Sequence, residues 1–151
     1  MVKQKVKVKK PKIRINFDPS KCWWCQACEL ACSLFHEGVC SRSLSRLRIE
    51  IDVLNGKVTA HLCQQCDFPT CLYVCPVEGA IIIDEETGSR VIVEDKCVGC
   101  GLCAKHCPYN TDGWIIRFKA DERKYIKCDL CGGHPQCVEV CPTKALTYRE
   151  K

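Results

Sequence analysis

The sequence predicts an α+β fold of short helices and short strand hairpins, held together more by cysteine-liganded groups than by one large apolar core. Three observations predict it. Seventeen of the 151 residues are cysteine, above the roughly 8 to 10% that marks a cysteine-built scaffold. Sixteen of the seventeen fall into four quartets: Cys22, Cys25, Cys28, Cys32; Cys63, Cys66, Cys71, Cys75; Cys97, Cys100, Cys103, Cys107; and Cys128, Cys131, Cys137, Cys141. Between the quartets, apolar residues alternate with polar ones in short runs broken by Gly, Asn, Asp and Glu, which is the period of strands joined by turns.

Taken in order, residues 1–14 form a basic N-terminal arm, with Lys3, Lys5, Lys7, Lys9, Lys10, Lys12 and Arg14 and no acidic residue. A solvated, frayed segment is the simplest reading. Val2, Val6 and Val8 alternate with the lysines, so an extended segment that orders against a partner subunit is the next. Nucleic-acid binding is disfavoured, because no aromatic residues interleave the basic ones. Ile13 to Phe17 reads as a strand with Ile13, Ile15 and Phe17 on one face, and Asp18-Pro19-Ser20-Lys21 as the turn into the first quartet. Cys28 to Phe35 reads as a short helix that can run on to Gly38, since Ser33 and not Pro follows Cys32. Arg46 to Val53 and Lys57 to Leu62 form a hairpin around Asn55-Gly56, with Leu47, Ile49, Ile51 and Val53 facing inward. Ala80 to Asp84 pairs with Ser89 to Val93, and Trp114 to Lys119 with Tyr125 to Lys127. Gly132-Gly133-His134-Pro135 lengthens the fourth quartet into a protruding loop, and Leu146 to Tyr148 reads as a last strand.

Three chemistries compete for so many cysteines. Disulfides are disfavoured by the odd count and by the start, Met-Val-Lys-Gln-Lys-Val-Lys, which lacks the apolar core of a signal peptide. Zinc is the stronger rival, since paired C-x2-C units build structural zinc sites. Cys97 to Pro108, however, spells C-x2-C-x2-C-x3-C-P, and Pro76 and Pro142 follow two of the other final cysteines. That run wraps a 4Fe-4S cluster in bacterial ferredoxins. Proline there has no N–H and a fixed φ, so it turns the chain away from the site. His36 and His61 are metal-capable, but each quartet is already complete, so both read as structural or surface groups. Trp23 and Trp24, between Cys22 and Cys25, read most simply as a shield of a cluster against water, with contact to a partner as the alternative. Cys40 belongs to no quartet and reads as a buried, inert thiol. Lys96, Lys105 and Lys127 stand beside motif cysteines, either raising cluster potentials, forming a docking patch or serving as ordinary surface lysines.

The chain thus resembles bacterial dicluster ferredoxins, in which the fourth cysteine of each run ligates the other cluster. The resemblance implies four 4Fe-4S clusters in two ferredoxin-like units, since motifs two and three are contiguous and motifs one and four are left to pair. One unit spans 57–112; the other joins 15–56 with 113–151. The implied ligand sets are Cys22, Cys25, Cys28 and Cys141 (site one); Cys63, Cys66, Cys71 and Cys107 (site two); Cys97, Cys100, Cys103 and Cys75 (site three); and Cys128, Cys131, Cys137 and Cys32 (site four). At about −2 per oxidised cluster, the formal charge of +5 becomes about −3 when all four are bound, which weakens net basicity as a sign of nucleic acid.

The motifs from Gln65 to Pro76, Cys97 to Pro108 and Lys127 to Thr143 are also similar to the four-cluster electron-transfer subunits of molybdenum and tungsten pterin oxidoreductases, hydrogenases and carbon monoxide dehydrogenases. Cys28 to Gly38, followed by Leu44-Ser45-Arg46, looks most like the small subunits of tungsten-containing aldehyde oxidoreductases. The resemblance implies a non-catalytic subunit. It would pass electrons between a large tungstopterin subunit and a soluble ferredoxin or similar acceptor. A hydrogenase or carbon monoxide dehydrogenase partner, or a stand-alone polyferredoxin carrier, is the alternative. No run reaches the roughly 18 apolar residues of a membrane span, so the expected location is the cytoplasm.

Overall fold

The structure, a computed structural model, describes residues 8–150; the part of the basic arm at 1–7 lies outside the described residues. Eight strands pair as four separate antiparallel ribbons. Strand β1 (Ile13–Phe17) pairs with β8 (Leu146–Glu150), placing Phe17 opposite Leu146 and joining the two ends of the described chain. Strands β2 (Arg48–Asp52) and β3 (Lys57–His61) form one hairpin, β4 (Ile81–Ile83) and β5 (Arg90–Ile92) another, and β6 (Ile116–Lys119) and β7 (Lys124–Lys127) the last. The alternation read from the sequence is the cause: Leu47 and Ile49 are buried while Glu50 is exposed. Val53 departs from it. It lies beyond β2 in the turn and is 72% exposed, because the register Asp52–Lys57 leaves the four residues between them as the loop.

The helices are short. Helix α1 (Ala27–Glu37) ends at Gly38, whose left-handed φ of 70° lets its N–H return to the Leu34 carbonyl, a termination for which glycine has no Cβ penalty. Helices α2 (Thr70–Val74), α3 (Leu102–Lys105) and α4 (Gln136–Glu139) span only four or five residues, too short to persist on their own propensity. Each carries the third cysteine of a motif, so the sites and the core hold them in place. Helix α1 packs on α4, and α2 on α3.

Two apolar clusters carry the packing. Ile13, Leu47, Ile49, Leu130 and Leu146 form one around Cys28, Cys32, Cys128, Cys137 and Cys141; Ile81, Ile92, Ile115 and Ile116 form the other around Cys103. Cys63 packs against both. The basic arm is not wholly frayed. Pro11 is buried, the Lys12 N–H donates to the Thr87 carbonyl at 2.8 Å, and Lys9 Nζ donates to the Glu85 carbonyl. Residues 9–12 thus lie along the β4–β5 turn, where a Cβ on Gly88 would come within 2.5 Å of the Lys10 carbonyl oxygen. The loop at 132–135 protrudes less than its length suggests: Pro135 is fully buried, and a Cβ on Gly133 would lie 3.2 Å from Thr87.

Candidate metal centres

In all four motifs the residue just before the second cysteine is left-handed: Trp24 (φ 61°), Gln65 (47°), Gly99 (71°) and Leu130 (63°). Only one is glycine. For the other three the conformation costs about 1 to 2 kcal/mol each, and such a turn points successive N–H groups into one anion-binding concavity. The loops are therefore shaped to receive negative charge, a repeat that spacing alone does not reveal. The sequence clue was Gly99, where a Cβ would sit 2.2 Å from the Arg123 carbonyl oxygen.

Cys63, Cys66, Cys71 and Cys107 together line a cavity of about 360 Å³. Cys75, Cys97, Cys100 and Cys103 line a second. Each cavity draws three cysteines from one motif and one from another. In the remaining pair of motifs, burial pushes Cys28 up to about 12, with Glu29 and the neighbouring Cys25 and Cys22 adding to the rise. Burial likewise raises Cys131 to about 11 and Cys137 higher, with Cys32 adding to each rise. Cys141 lies in the same apolar cluster as Cys28; burial works against its ionisation, but the N–H groups of Leu146, Ala145 and Thr143 and the Thr143 hydroxyl outweigh it and lower its pKa.

The quartets also adjoin one another. Cys137 senses Cys28, Cys128 senses Cys63, and Cys103 senses Cys71.

The donor sets suit 4Fe-4S clusters and not single zinc ions. Zn–S bonds of about 2.3 Å put the sulfurs of one tetrahedral site about 3.8 Å apart. Among the described residues, the one group of three metal-capable side chains whose donor atoms lie within 4.8 Å of one another is His36, Asp129 and Cys131, and no cysteine quartet is that compact. A cubane spreads four thiolates over four irons and needs the wider spacing. None of the seventeen cysteines is in a disulfide.

His36 is structural, as its complete neighbouring quartet implies. Its Nε2 meets Asp129 Oδ1 at 2.9 Å and its Nδ1 the Cys32 carbonyl at 2.9 Å. Burial opposes the imidazolium, but Asp129 and Cys32 outweigh it and hold the pKa near 10. Asp129 also accepts from the Cys131 N–H at 2.9 Å and from Arg46, fixing the motif-four loop. His61 pairs with Glu50 at 2.9 Å and meets the Trp114 ring edge-on.

Three expectations change. Trp23 is 76% exposed and does not cover a site against water. Cys40 is exposed, not buried, since it follows Gly38 out of α1 into the loop toward β2. Lys127 is no surface lysine: it is 1% exposed, its Nζ lies 3.6 Å from Cys63 Sγ, and it donates to the carbonyls of Arg90 and of Cys128. Lys21 and Lys96 occupy the same place in their motifs and are exposed, so sequence position alone did not single Lys127 out. Glu29 and Arg90, both buried beside sites, carried no motif signal either.

Among the described residues no helix is long and apolar enough to cross a membrane. Comparison with known proteins places these sites in a family. The polyferredoxin-like subunit of aliphatic sulfonate oxidoreductase from Pyrococcus furiosus is 42% identical over 131 residues, covering 86% of this chain and 72% of that one. The putative electron transport protein YsaA of Escherichia coli is 36% identical over 139 residues, covering 85% and 84%. A chain in the active site complex BamBC of benzoyl coenzyme A reductase matches with a TM-score of 0.56 at 27% identity, covering 92% of this chain and 77% of that chain. Residues 54–151 match the 4Fe-4S dicluster domain. The chain belongs to that family, and it is an iron-sulfur electron-transfer protein related to the subunits of oxidoreductase complexes.

Proposed function

We propose that the chain is a four-cluster electron conduit, non-catalytic itself, that relays electrons in the cytoplasm between a large catalytic subunit and a soluble ferredoxin or similar acceptor. The observation that carries the reading is the convergence of Cys63, Cys66, Cys71 with Cys107, and of Cys97, Cys100, Cys103 with Cys75, each on one cavity. This exchange of fourth cysteines is what two-cluster ferredoxin folds require. By the same logic Cys22, Cys25, Cys28 and Cys141 hold site one, and Cys128, Cys131, Cys137 and Cys32 hold site four. The proposed units join 15–56 with 113–151 and keep 57–112 apart. Pairing of β1 with β8 and packing of α1 on α4 and α2 on α3 support them, while Ile115, Ile116, Val58 and Leu62 pack across the division.

Each cluster, when bound, supplies reversible one-electron transfer. The polypeptide's part is to hold the thiolates, present N–H groups and keep water out. The Arg46 N–H lies 3.3 Å from Cys32 Sγ and the Tyr125 N–H 3.5 Å from Cys97 Sγ. The gathering of Cys28, Cys137, Cys128 and Cys63 in one apolar cluster, and of Cys63, Cys71 and Cys103 in the other, supports a single relay from site one through sites four and two to site three.

For the catalytic partner we propose a tungstopterin aldehyde oxidoreductase, on the likeness of Cys28 to Arg46 to such small subunits. The relative named as an aliphatic sulfonate oxidoreductase subunit supports an oxidoreductase partner in general. Anaerobic purification from the native host, with metal analysis and identification of co-eluting chains, tests both parts. About sixteen irons per chain with a tungsten-bearing subunit is the expected result. About eight irons removes the four-cluster reading, zinc in place of iron removes electron transfer, and iron with a molybdenum-, nickel- or metal-free partner overturns the tungsten assignment.

A further inference from the structure

Site two differs from the other three in its surrounding charge. Lys127, buried to 1% exposure, brings its ammonium to 3.6 Å from Cys63 Sγ. Arg90, equally buried, lines the same cavity; one nitrogen donates to the Gly88 carbonyl, while Nε and Nη2 have no hydrogen-bond partner. Arg14 stands at the rim, paired with Asp67 at 2.6 Å. Neither Lys127 nor Arg90 is within ion-pair distance of a carboxylate; the field of Asp67, which is paired to Arg14 at the rim, reaches Arg90, and burial of cations is costly unless an anion answers it. No charged side chain lines the cavity of site three. At site four, Arg46 and His36 are answered by Asp129, Glu94 and Glu37, and Arg117, whose field reaches Cys32, also faces the carboxylate of Glu29. Beside Cys28, the fully buried Glu29 adds negative charge that Arg42 and Arg48 pair.

We propose that Lys127, backed by Arg90, makes site two the highest-potential site of the four, an electron trap between the lower sites four and three. The proposal rests on the four-cluster reading above. With a cluster held by Cys63, Cys66, Cys71 and Cys107, site two would take one electron from a neighbouring cluster and pass it to the next, its thiolate-liganded core being one charge more negative in between. A fixed ammonium against one ligand sulfur in a low-dielectric wall favours the reduced form more than the oxidised one. Lys127 acts as a positioning charge and not as a ligand.

Redox titration followed by electron paramagnetic resonance, on full-length, iron-loaded protein, tests it. Lys127→Met is expected to weaken one-electron reduction at the highest midpoint about tenfold, a fall of 59 mV, with smaller changes at the other three. Lys127→Arg keeps the charge and restores most of the midpoint. Lys105→Gln, exposed beside a motif-three cysteine, produces no comparable shift. Should Lys127→Met not load, Arg14→Gln at the solvent rim carries the test, lowering the same midpoint by a smaller step. With sixteen irons present, a highest midpoint unmoved by these substitutions, or four midpoints that move alike, overturns the proposal and leaves the conduit standing. Fewer than sixteen irons in the wild type overturns the four-cluster reading, and this proposal with it.

Discussion

At the scale of single residues, the motifs place their strain where the chemistry needs it. Gly99 is left-handed, and an added Cβ would meet the Arg123 carbonyl oxygen at 2.2 Å. Backbone cannot swing aside as a side chain can, so Gly99→Ala combines the left-handed penalty with a clash, about 2 to 4 kcal/mol together. The expected outcome is loss of site three, read as a drop in iron per chain by about a quarter and a lower unfolding midpoint; unchanged iron would show that the loop relaxes freely. Glu29 is the second such residue. It is fully buried in the first turn of α1 and accepts from the Ile49 N–H at 2.6 Å and Arg42 Nε at 2.7 Å. Glu29→Gln keeps the shape and removes the charge, so it is expected to cost about 1.5 to 3 kcal/mol, measurable by denaturant unfolding of the loaded protein. Neither role could be read from the sequence. The cysteines are legible because ligand chemistry restricts them to one residue type at fixed spacing. A buried glutamate in the stretch Cys28-Glu29-Leu30 looks like any surface helix residue, and Lys127 looks like Lys21 and Lys96.

At the scale of elements, the hairpins were legible and the short helices were not. Strands β2 and β6 follow from alternation that only one register satisfies, and β4 and β5 from short runs rich in Ile and Val bounded by turn residues. Helices α2, α3 and α4 have too few residues to carry a periodic signal, and tertiary contacts decide them. The pairing of β1 with β8 shows the other limit: both strands are visible as apolar runs, but nothing local says that residue 17 faces residue 146. The expected consequence is a long-range one. Leu146 is 2% exposed, opposite Phe17 and packed with Ile13 around the motif-one and motif-four cysteines. Leu146→Ala is therefore expected to cost about 2 to 5 kcal/mol and to accelerate cluster loss from sites one and four before sites two and three, followed by the order of spectroscopic bleaching in denaturant. Equal loss from all four sites would instead make the molecule one cooperative unit.

For the molecule as a whole, the thiols and the fold pull in opposite directions with pH. Burial pushes Cys28 and Cys103 up to about 12 and Cys71 and Cys131 to about 11, against 9.0 for a free thiol. In the metal-free chain each raised value means that the folded state resists ionisation. The associated stability is complete below pH 9 and lost as pH rises through 11 to 12, because the unfolded chain ionises first. Cluster ligation needs the thiolate, so the bound state runs the other way and strengthens as pH rises toward 9. On the proposed four-cluster reading, assembly at pH 7 discharges about one proton per ligating cysteine, about sixteen for four sites, and carries the formal charge from +5 to about −3. The apolar clusters are small and built around the cysteines themselves, so removal of iron by a chelator is expected to unfold much of the chain rather than leave a stable shell. Circular dichroism during chelation and a pH-stat record during reconstitution test the two halves together. Proton release near zero at pH 7 would mean that the thiols are already ionised in the metal-free fold, and that burial does not govern them.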